Sequence, residues 1–426
     1  MDRTDIRYKT YLQILKEELV PAMGCTEPIA ISYCAAKARA ILGCLPERSL
    51  VEVSGNIIKN VKSVIVPNTN GLKGIEAAAA AGIVAGDADK ILEVISGVTE
   101  EQKLEIKHYL EKKIIQVKPL ETEEILDIVI HVYGEGHEVV VRIANYHTNI
   151  VLIQKDGETL YEIGGTAAKE ETGQADRNLL SVADIVEFAN TADIEDVREI
   201  LSRQVKCNTA ISKEGLTNSW GANVGKVLLK AYGNDIRVRA RAAAAAGSDA
   251  RMSGCEMAVI INSGSGNQGM TASLPVIEYA KELNSSEEQL YRALLVSNLI
   301  TIHQKTGIGR LSAYCGAISA GCGAGCGIAY LKGGDFKCIA HTLVNALAIV
   351  SGIVCDGAKP SCAGKIASAV DAGILGYEMY CQGEEFRGGD GILSKGVENT
   401  IRNISRLGSV GMKETDKEII QIMTDC

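Results

Sequence analysis

The pattern of apolar and polar positions predicts two helices at the start of the chain and strands after them. Apolar residues on one helical face predict a helix over residues 5–20, and an Ala-rich apolar run predicts a second over residues 29–42. Within residues 46–165, segments rich in Val and Ile are separated by turns, the first at Ser54-Gly55-Asn56. These segments predict an antiparallel sheet of about four to five strands, which is a usual sheet size.

The second half of the chain has a helical pattern. From residue 180 onward apolar residues recur at helical spacing, with one short strand-like run at residues 257–262. We therefore expect an α+β fold with three parts. Residues 1–45 form N-terminal helices that pack with the catalytic domain, residues 46–165 form a smaller α+β lobe, and residues 166–426 form a mostly helical catalytic domain.

Composition narrows the class of protein. The formal net charge is −9 and no long basic run occurs, which argues against a nucleic-acid partner. No uninterrupted apolar run is long enough to cross a membrane, and the first residues contain no apolar signal-peptide segment. We expect a cytoplasmic protein. Aromatic residues are only 4% of the chain, and the abundant Ala and Gly predict closely packed helices. The oligomeric state stays open, and a homodimer is one state that the sequence allows.

Five cysteines are concentrated in one stretch of the second half: Cys315, Cys322, Cys326, Cys355 and Cys362. The chain has thirteen cysteines, an odd number, which does not suggest a disulfide framework in a cytoplasmic protein. An uncharged segment at 339–354 predicts a buried helix that ends at Cys355, and the Gly and Pro residues after it predict a turn. Cysteines brought together from a helix end and a turn are what a metal or iron–sulfur site requires. Spacing alone does not choose the ligands, and Cys315, Cys322 and Cys326 also fit as small core residues on one helix face.

Cys25 is a second candidate for chemistry. Thr26 is a plausible N-cap and Pro28 suits the first turn of the following helix, which places Cys25 at a helix N-terminus. The helix dipole there predicts a lowered thiol pKa. A buried cysteine in a turn is the alternative interpretation.

Three loops combine glycine with polar side chains. They lie at residues 217–226, which include Asn218, at 262–271, and at 306–310, which we expect to open the helix that carries Cys315. The middle loop leads into a predicted helix and matches neither nucleotide-binding fingerprint, so we expect it to bind a carboxylate. Its candidate substrate contacts are Ser263, Gly264, Ser265, Gly266, Asn267 and Gln268. A flexible turn is the alternative for this loop.

The histidines of the predicted sheet do not complete a zinc site. His131, His137 and His147 lie in this region, and alternation can place two of them on one face. No carboxylate spacing there adds the remaining ligands, and we interpret each as a surface or strand-edge residue.

Three motifs together resemble the L-cysteine desulfidase family, which is related to the α-chain of the iron–sulfur L-serine dehydratases. They are Pro-Ala-Met-Gly-Cys-Thr-Glu-Pro at 21–28, Ser-Gly-Ser-Gly-Asn-Gln-Gly at 263–269 and Cys-Asp-Gly-Ala-Lys-Pro-Ser-Cys at 355–362. The resemblance covers essentially the whole chain. It implies a 4Fe-4S cluster held by three cysteines with one iron left open, and no pyridoxal phosphate. The ligands implied are Cys315, Cys355 and Cys362, with Cys322 and Cys326 as core thiols.

The resemblance also implies a reaction. An open iron acts as a Lewis acid toward the substrate's thiol, and β-elimination of L-cysteine yields hydrogen sulfide and, after hydrolysis, pyruvate and ammonia. Cys25 is the candidate base or proton donor to the leaving sulfide, and Lys359 is the reserve candidate. The resemblance allows Cys426 to occupy the open iron, as the terminal cysteine does in related serine dehydratases. A loose chain end is the interpretation that we prefer.

Other functions stay in view. An L-serine dehydratase would use the same fold, cluster and elimination, with hydroxide as the leaving group. A non-catalytic iron–sulfur sensor would need no anion-binding loop and would usually carry a partner-binding module, which we do not find. A zinc hydrolase would need a His-rich ligand set.

Overall fold

The computed structural model describes residues 1–163, 175–309 and 311–424. Its first helices are α1 Ile6–Glu18, α2 Thr26–Leu42, α3 Gly55–Val61, α4 Gly74–Ala85, α5 Glu100–Glu111, α6 Val182–Thr191, α7 Glu195–Thr217 and α8 Val224–Tyr232. The others are α9 Ile236–Met252, α10 Gly266–Glu282, α11 Glu287–Ile308, α12 Gly316–Leu331, α13 Phe336–Val350, α14 Cys362–Cys381, α15 Val397–Arg406 and α16 Lys413–Thr424. The strands are β1 Pro21–Met23, β2 Arg48–Val53, β3 Ile115–Pro119, β4 Asp127–Gly134, β5 His137–Ala144, β6 Ile150–Lys155, β7 Glu158–Glu162 and β8 Ala258–Ile260.

The expected α+β fold is confirmed. The larger sheet has six strands in the order β3-β2-β4-β5-β6-β7, and it is mixed because β2 and β3 run parallel while the other neighbours are antiparallel. The prediction of a purely antiparallel sheet was wrong at this one pair. The helix α5 lies between β2 and β3 in the chain order and permits the parallel return, which a tight turn cannot.

The predicted strand around Val61 is a helix instead. Residues 55–61 form α3, and Ile57 and Val61, four residues apart, are both buried on one side of it. The valines at 61, 64 and 66 are typical of a strand, but the helical spacing of Ile57 and Val61 governs the packing. Further along, Ala88–Glu93 form a short 3₁₀ helix, which is interrupted at Ile91, where φ is +50°.

The second helix of the chain packs against the sheet lobe. The Cys34 Sγ donates a hydrogen bond to Val141 O of β5 at 3.3 Å. On its other side α2 meets α4, where a side chain at Gly82 would lie 2.1 Å from Ser32 O. The predicted domain boundaries at residues 45 and 165 stay a prediction. The helix α2 connects the sheet lobe to the site described below.

The core of the helical region is built on glycine contacts along α12. A Cβ at Gly325 would lie 2.5 Å from Gly373 O of α14, and one at Gly323 would lie 2.3 Å from Thr301 Oγ1 of α11. These glycines therefore let α12 pack with its backbone close to both neighbours, as the abundance of small residues predicted. Cys322 and Cys326, on the same helix, are fully buried.

Several sequence predictions concern features that the described residues only partly cover. Every cysteine in the described ranges is free. No helix within the same ranges is long and apolar enough to cross a membrane. Outside the described residues lie Arg310, Cys426 and residues 168–174, which are a polar stretch of the sequence.

Candidate active site

A cavity of ≈ 100 Å³ lies where four segments of the chain meet. Its walls come from the start of α2, the loop between β8 and α10, the start of α12, and the turn before α14. The antiparallel pairing of β1 with β8 brings these parts of the chain close together, and Thr26 Oγ1 donates a hydrogen bond to Gly264 O at 2.8 Å, which links the start of α2 directly to the loop. Most of the residues predicted from the three sequence motifs therefore line one cavity.

Three cysteine thiols line one part of the cavity. Cys315 is the N-cap of α12 rather than a residue within it, and α13 ends at Val350 rather than reaching Cys355. A short antiparallel contact holds these ends together: Cys315 N–H donates to Ile353 O at 3.3 Å, and Cys355 N–H donates to Ala313 O at 2.6 Å. Cys362 is the first residue of α14.

The turn between Cys355 and Cys362 is fixed by a glycine. Gly357 has φ +90°, and a Cβ there would lie 2.2 Å from Lys59 O of α3. Only glycine fits a backbone conformation and a contact of this kind. The turn is thereby pressed against α3, and both of its cysteines line the cavity.

The surroundings of Cys315 and Cys362 raise the pKa of both thiols. Burial, together with the negative charge that Cys355 and Cys362 would carry, raises the pKa of Cys315 to about 12. Burial also raises the pKa of Cys362. A cationic metal centre would relieve both effects, since metal binding deprotonates thiols.

The donor set fits a cluster better than a single ion. In the described part of the chain, no three His, Cys, Asp or Glu side chains are grouped tightly enough for one metal ion. A cluster takes a separate cysteine at each of several irons, so its ligands need not converge on one atom. Three thiols around one cavity, one of them buried and two partly buried, therefore suit an iron–sulfur cluster, with Cys315, Cys355 and Cys362 as the residues that would hold it.

The loop between β8 and α10 forms another part of the cavity. Ser263 and Gly264 both have positive φ, +49° and +78°, and Ser265 is the N-cap of α10. The cavity is lined by Ser263, Gly264, Ser265, Asn267 and Gln268, while Gly266 packs behind it. The side-chain oxygens of Asn267 and Gln268 are buried and have no hydrogen-bond partner among the described residues.

Arg251, at the end of α9, is a cavity residue that the sequence interpretation missed. It is 3% exposed, and its Nε and Nη2 have no hydrogen-bond partner in the described ranges. A Cβ at Gly266 would lie 2.4 Å from Arg251 Nε, so the helix start leaves just enough room for the guanidinium. A buried cation without a partner is costly, which points to an anionic ligand.

Cys25 differs from its prediction in its pKa. It is the N-cap of α2 and lines the cavity, but burial, with the nearby Glu27 carboxylate, raises its pKa well above the usual value. The predicted lowering by the helix dipole was wrong because the buried thiol donates a hydrogen bond to Glu27 Oε2 at 2.9 Å. The resting group is a thiol and not a thiolate.

Glu27 and His147 were also not predicted as site residues. Burial opposes ionisation of Glu27, but its interactions with His147 and Cys25 outweigh burial and lower its pKa to about 2. His147 Nε2 lies 3.7 Å from Glu27 Oε1. His147 is 5% exposed, so its interpretation as a surface or strand-edge residue was wrong.

Two predicted site residues lie elsewhere. Asn218 is at the exposed C-terminal end of α7, where its Nδ2 donates to Glu214 Oε1 at 2.7 Å, and it does not line the cavity. Lys359 also lies outside the cavity lining, and its Nζ binds the Asp356 carboxylate and the carbonyl of Gly357. Neither position supports the predicted substrate contact or reserve base.

A larger cavity adjoins the first. It measures ≈ 520 Å³ and shares Ser263, Lys305 and Leu311 with the smaller one. Thr306 and Gly309 of the third predicted loop line it, although residues 306–308 end α11 and do not open α12. The larger cavity gives small molecules a route to the cysteines.

The missed residues left weak signals in the sequence. Arg251 stands at the end of an Ala-rich helix, where a cation among small apolar residues is unusual. Glu27 was within a recognised motif but next to a more conspicuous cysteine. His147 follows Asn145-Tyr146 in a connection between strands, a position that carries no local pattern of its own.

Comparison with known proteins gives a consistent result. Residues 89–421 match the family model for the serine dehydratase alpha chain. A UPF0597 protein of Desulfitobacterium hafniense is 66% identical over 423 residues, which cover 99% of this chain and 98% of that protein. UPF0597 proteins of Lachnoclostridium phytofermentans and Treponema denticola are 54% and 49% identical over 98% of this chain, and 99% and 98% of their own lengths are covered. The names of these relatives state no activity.

Proposed function

The chain belongs to the serine dehydratase alpha-chain family, a family of iron–sulfur lyases, and from that premise we propose that it is an L-cysteine desulfidase. The reaction converts L-cysteine and water into pyruvate, ammonia and hydrogen sulfide. The observation that carries the proposal is a single cavity that combines three cysteine thiols with a buried guanidinium that has no hydrogen-bond partner at Nε or Nη2 among the described residues.

Cavity size and charge favour a small amino acid. Drug-sized ligands occupy pockets of about 300–1,000 Å³, whereas this cavity measures ≈ 100 Å³. The Arg251 guanidinium suits an α-carboxylate, which it can bind through two parallel hydrogen bonds. The unpartnered oxygens of Asn267 and Gln268 can accept hydrogen bonds from an α-ammonium group.

The three cysteines would hold a 4Fe-4S cluster beside this substrate. When bound, the cluster supplies Lewis-acid chemistry at an open iron, which suits the loss of a sulfur leaving group. Arg251 orients the substrate by its carboxylate, and burial of the cavity excludes bulk water from the reacting bonds. Such orientation accounts for much of the rate enhancement in many enzymes.

Cys25 serves best as a proton donor. Its thiol is protonated and lines the same cavity as the three ligand cysteines. Transfer of this proton to the departing sulfur would release it as hydrosulfide. The alternative role of Cys25 as the base would need a resting thiolate, which burial and Glu27 oppose.

L-serine is the second candidate substrate. The family model that matches the chain is that of the serine dehydratase alpha chain, and loss of water from L-serine needs the same carboxylate anchor and the same elimination. The two substrates differ only in the atom that leaves, sulfur or oxygen.

The test compares both substrates on one preparation. Protein purified anaerobically and loaded with iron and sulfide should release sulfide and pyruvate in equal amounts from L-cysteine, with a kcat/KM at least about tenfold above that for L-serine, a difference of about 1.4 kcal/mol. A higher kcat/KM for L-serine would make the protein a serine dehydratase. No product from either amino acid by iron-loaded protein would contradict both proposals.

A further inference from the structure

Three side chains lie next to one another along one side of the cavity, two of them joined by a hydrogen bond and the third within 4 Å. Cys25 Sγ donates to Glu27 Oε2 at 2.9 Å, and the other oxygen of the same carboxylate, Oε1, lies 3.7 Å from His147 Nε2. All three side chains line the cavity. Glu27 thus stands between a thiol and an imidazole, with one carboxylate oxygen toward each.

Neighbouring residues hold these side chains in place. Thr26 Oγ1 donates to Glu27 Oε2 at 3.2 Å and to Gly264 O at 2.8 Å, which ties the carboxylate to the substrate loop. His147 lies in the connection between β5 and β6, where Asn145 N–H donates to Leu126 O at 2.9 Å. The sheet lobe therefore contributes the imidazole, and α2 contributes the carboxylate and the thiol.

The His147 imidazole is buried without being fully hydrogen-bonded. His147 is 5% exposed, and its Nε2 has no hydrogen-bond partner among the described residues. A buried polar atom without a partner calls for an explanation, and a substrate or catalytic role is one. Histidine is also the side chain most often used as a general base near neutral pH.

We propose that His147 is the base that removes the α-proton of the substrate, and that Glu27 returns this proton to Cys25. This inference rests on the proposed function and adds to it the identity of the base. Glu27 is a positioning and relay residue, because it acts through its two neighbours.

The proton transfers balance over one turnover. His147 Nε2 takes the Cα proton, and the electron pair of the Cα–H bond forms the Cα–Cβ double bond. The substrate reacts as its thiolate: the electron pair of the Cβ–S bond leaves with this sulfur, which takes the proton of Cys25 and departs as hydrosulfide. The proton on His147 then passes through Glu27 to the Cys25 thiolate, so both groups regain their starting states. The remaining aminoacrylate hydrolyses to pyruvate and ammonia.

The charge state of Glu27 suits the relay. Its interactions with His147 and Cys25 outweigh the opposing effect of burial and lower its pKa to about 2, so the group is a carboxylate at neutral pH. A carboxylate can accept the proton from an imidazolium, whereas a protonated carboxyl group cannot.

The test uses anaerobically loaded holoenzyme with three single variants: His147→Gln, Glu27→Gln and the control His131→Gln. His131 is a matched control because it also lies between two carboxylates, those of Glu52 and Glu138, each at 3.3 Å, but lines neither cavity. We expect His147→Gln to lower kcat by about 10²–10⁴-fold, the usual contribution of a general base, with unchanged iron content and a similar KM. Glu27→Gln should lower kcat less, and His131→Gln should match the wild type.

A second measurement separates catalysis from structure. Added imidazole should restore part of the turnover of His147→Gly, whereas a purely structural residue gives no such rescue. The inference is overturned if iron-loaded His147→Gln keeps kcat within about threefold of the wild type, below the usual effect of losing a base. If His147→Gln does not bind iron, two other results overturn the inference equally. One is a wild-type kcat in iron-loaded Glu27→Gln, and the other is the absence of imidazole rescue in His147→Gly.

Failure of this inference is distinguishable from failure of the proposed function. If the wild-type holoenzyme makes no product from L-cysteine or L-serine, the proposed function falls. If the wild type is active and the His147 variants are equally active, only the assignment of the base falls.

Discussion

The buried polar groups of the cavity differ in their hydrogen bonding from those of the helical core directly behind it. Behind the substrate loop, Gln204 and Asn298 exchange two hydrogen bonds, at 3.0 and 2.8 Å, and Asn262 Nδ2 donates to Asn298 Oδ1 at 3.0 Å. In front of the loop, Arg251 and Gln268 are equally buried but have polar atoms without partners in the described ranges. The Gln204–Asn298 pair stabilises the fold, whereas the unpartnered atoms of Arg251 and Gln268 belong to residues that line the cavity, where a ligand can supply their hydrogen bonds.

The helix α12 shows the same contrast along its own length. Cys315, at its N-terminal end, lines the cavity with two other cysteines. Cys322, within the helix, is fully buried and lines neither cavity. The two thiols are close in sequence, but only the first is placed to bind a ligand. The following predictions test whether this contrast holds.

The largest effect should come from removing a thiol at the cavity. Cys315→Ala, Cys355→Ala and Cys362→Ala should each abolish the brown absorbance of anaerobically loaded protein and all turnover, because each removes one of three ligands. Cys322→Ala is the control and should keep both. Iron analysis and the visible spectrum are the measurements. If Cys322→Ala lost its brown colour and Cys315→Ala kept a normal spectrum, the assignment of these two cysteines as core residue and ligand would be reversed.

Removing the unpartnered cation should lower activity without weakening the fold. Arg251→Met should reduce kcat/KM for L-cysteine by about 10²-fold, since hydrogen bonds to a charged group contribute about 1.5–3 kcal/mol each. The free energy of unfolding of the apo-protein should stay the same or rise, because a buried charge without a partner is removed.

Arg241→Met is the matched control on the same helix. Arg241 Nη1 donates to Asp371 Oδ1 at 2.9 Å, outside both cavities. Steady-state kinetics and urea unfolding should show near wild-type activity for this variant. A large loss of stability in Arg251→Met together with normal kcat/KM would assign Arg251 to the fold.

In the helical core, adding a methyl group should change the stability of the protein and not its activity. Gly325→Ala would place a methyl group 2.5 Å from Gly373 O, and we expect a loss of about 3 kcal/mol in the free energy of unfolding. Gly364→Ala on α14 is the control, because nothing lies within 4 Å of its Cβ position. It should be neutral or stabilise by about 0.5–1 kcal/mol. Equal unfolding curves for the two variants would argue against the close packing of α12.

The last prediction concerns Glu27, a cavity residue that does have partners and whose effect on stability appears only in acid. Its pKa falls from 4.5 in the unfolded chain to about 2 in the folded protein. A lowered carboxyl pKa adds stability above pH 4.5 that is lost as the pH falls toward 2. The apo-protein should therefore lose up to about 3 kcal/mol across this window, and Glu27→Gln should lose less. Parallel acid-unfolding curves for the two proteins would contradict this.

The sequence was sufficient for features that depend on local pattern. The α+β class, the helical second half and the short strand at residues 257–262 all follow from periodicity. The core position of Cys322 was one of two interpretations until the resemblance favoured it. Loop glycines also indicated the substrate loop, and five of its six predicted residues line the cavity. The ligand set and the substrate came instead from the resemblance of three motifs to a family.

The remaining features depend on contacts between distant segments. Arg251 and His147 have no motif, and they reach the cavity only because β1 pairs with β8 and α2 packs on the sheet. The pKa of Cys25 was predicted in the wrong direction because helix position was visible in the sequence, whereas burial and the contact with Glu27 were not. Asn218 had the right residue type in a polar loop, but the loop faces solvent.

The pairing of β1 with β8 also has a consequence for biosynthesis. The strand β1 and Cys25 leave the ribosome early. The strand β8, which pairs with β1, and the three cysteines proposed as ligands are translated much later. Most of the chain is therefore translated between the apolar start of α2 and the last segments that it contacts. At usual elongation rates of about 5–20 residues per second, this interval is tens of seconds. The proposed cluster can accordingly be assembled only after residue 362 has been translated, which makes its assembly a late step in maturation.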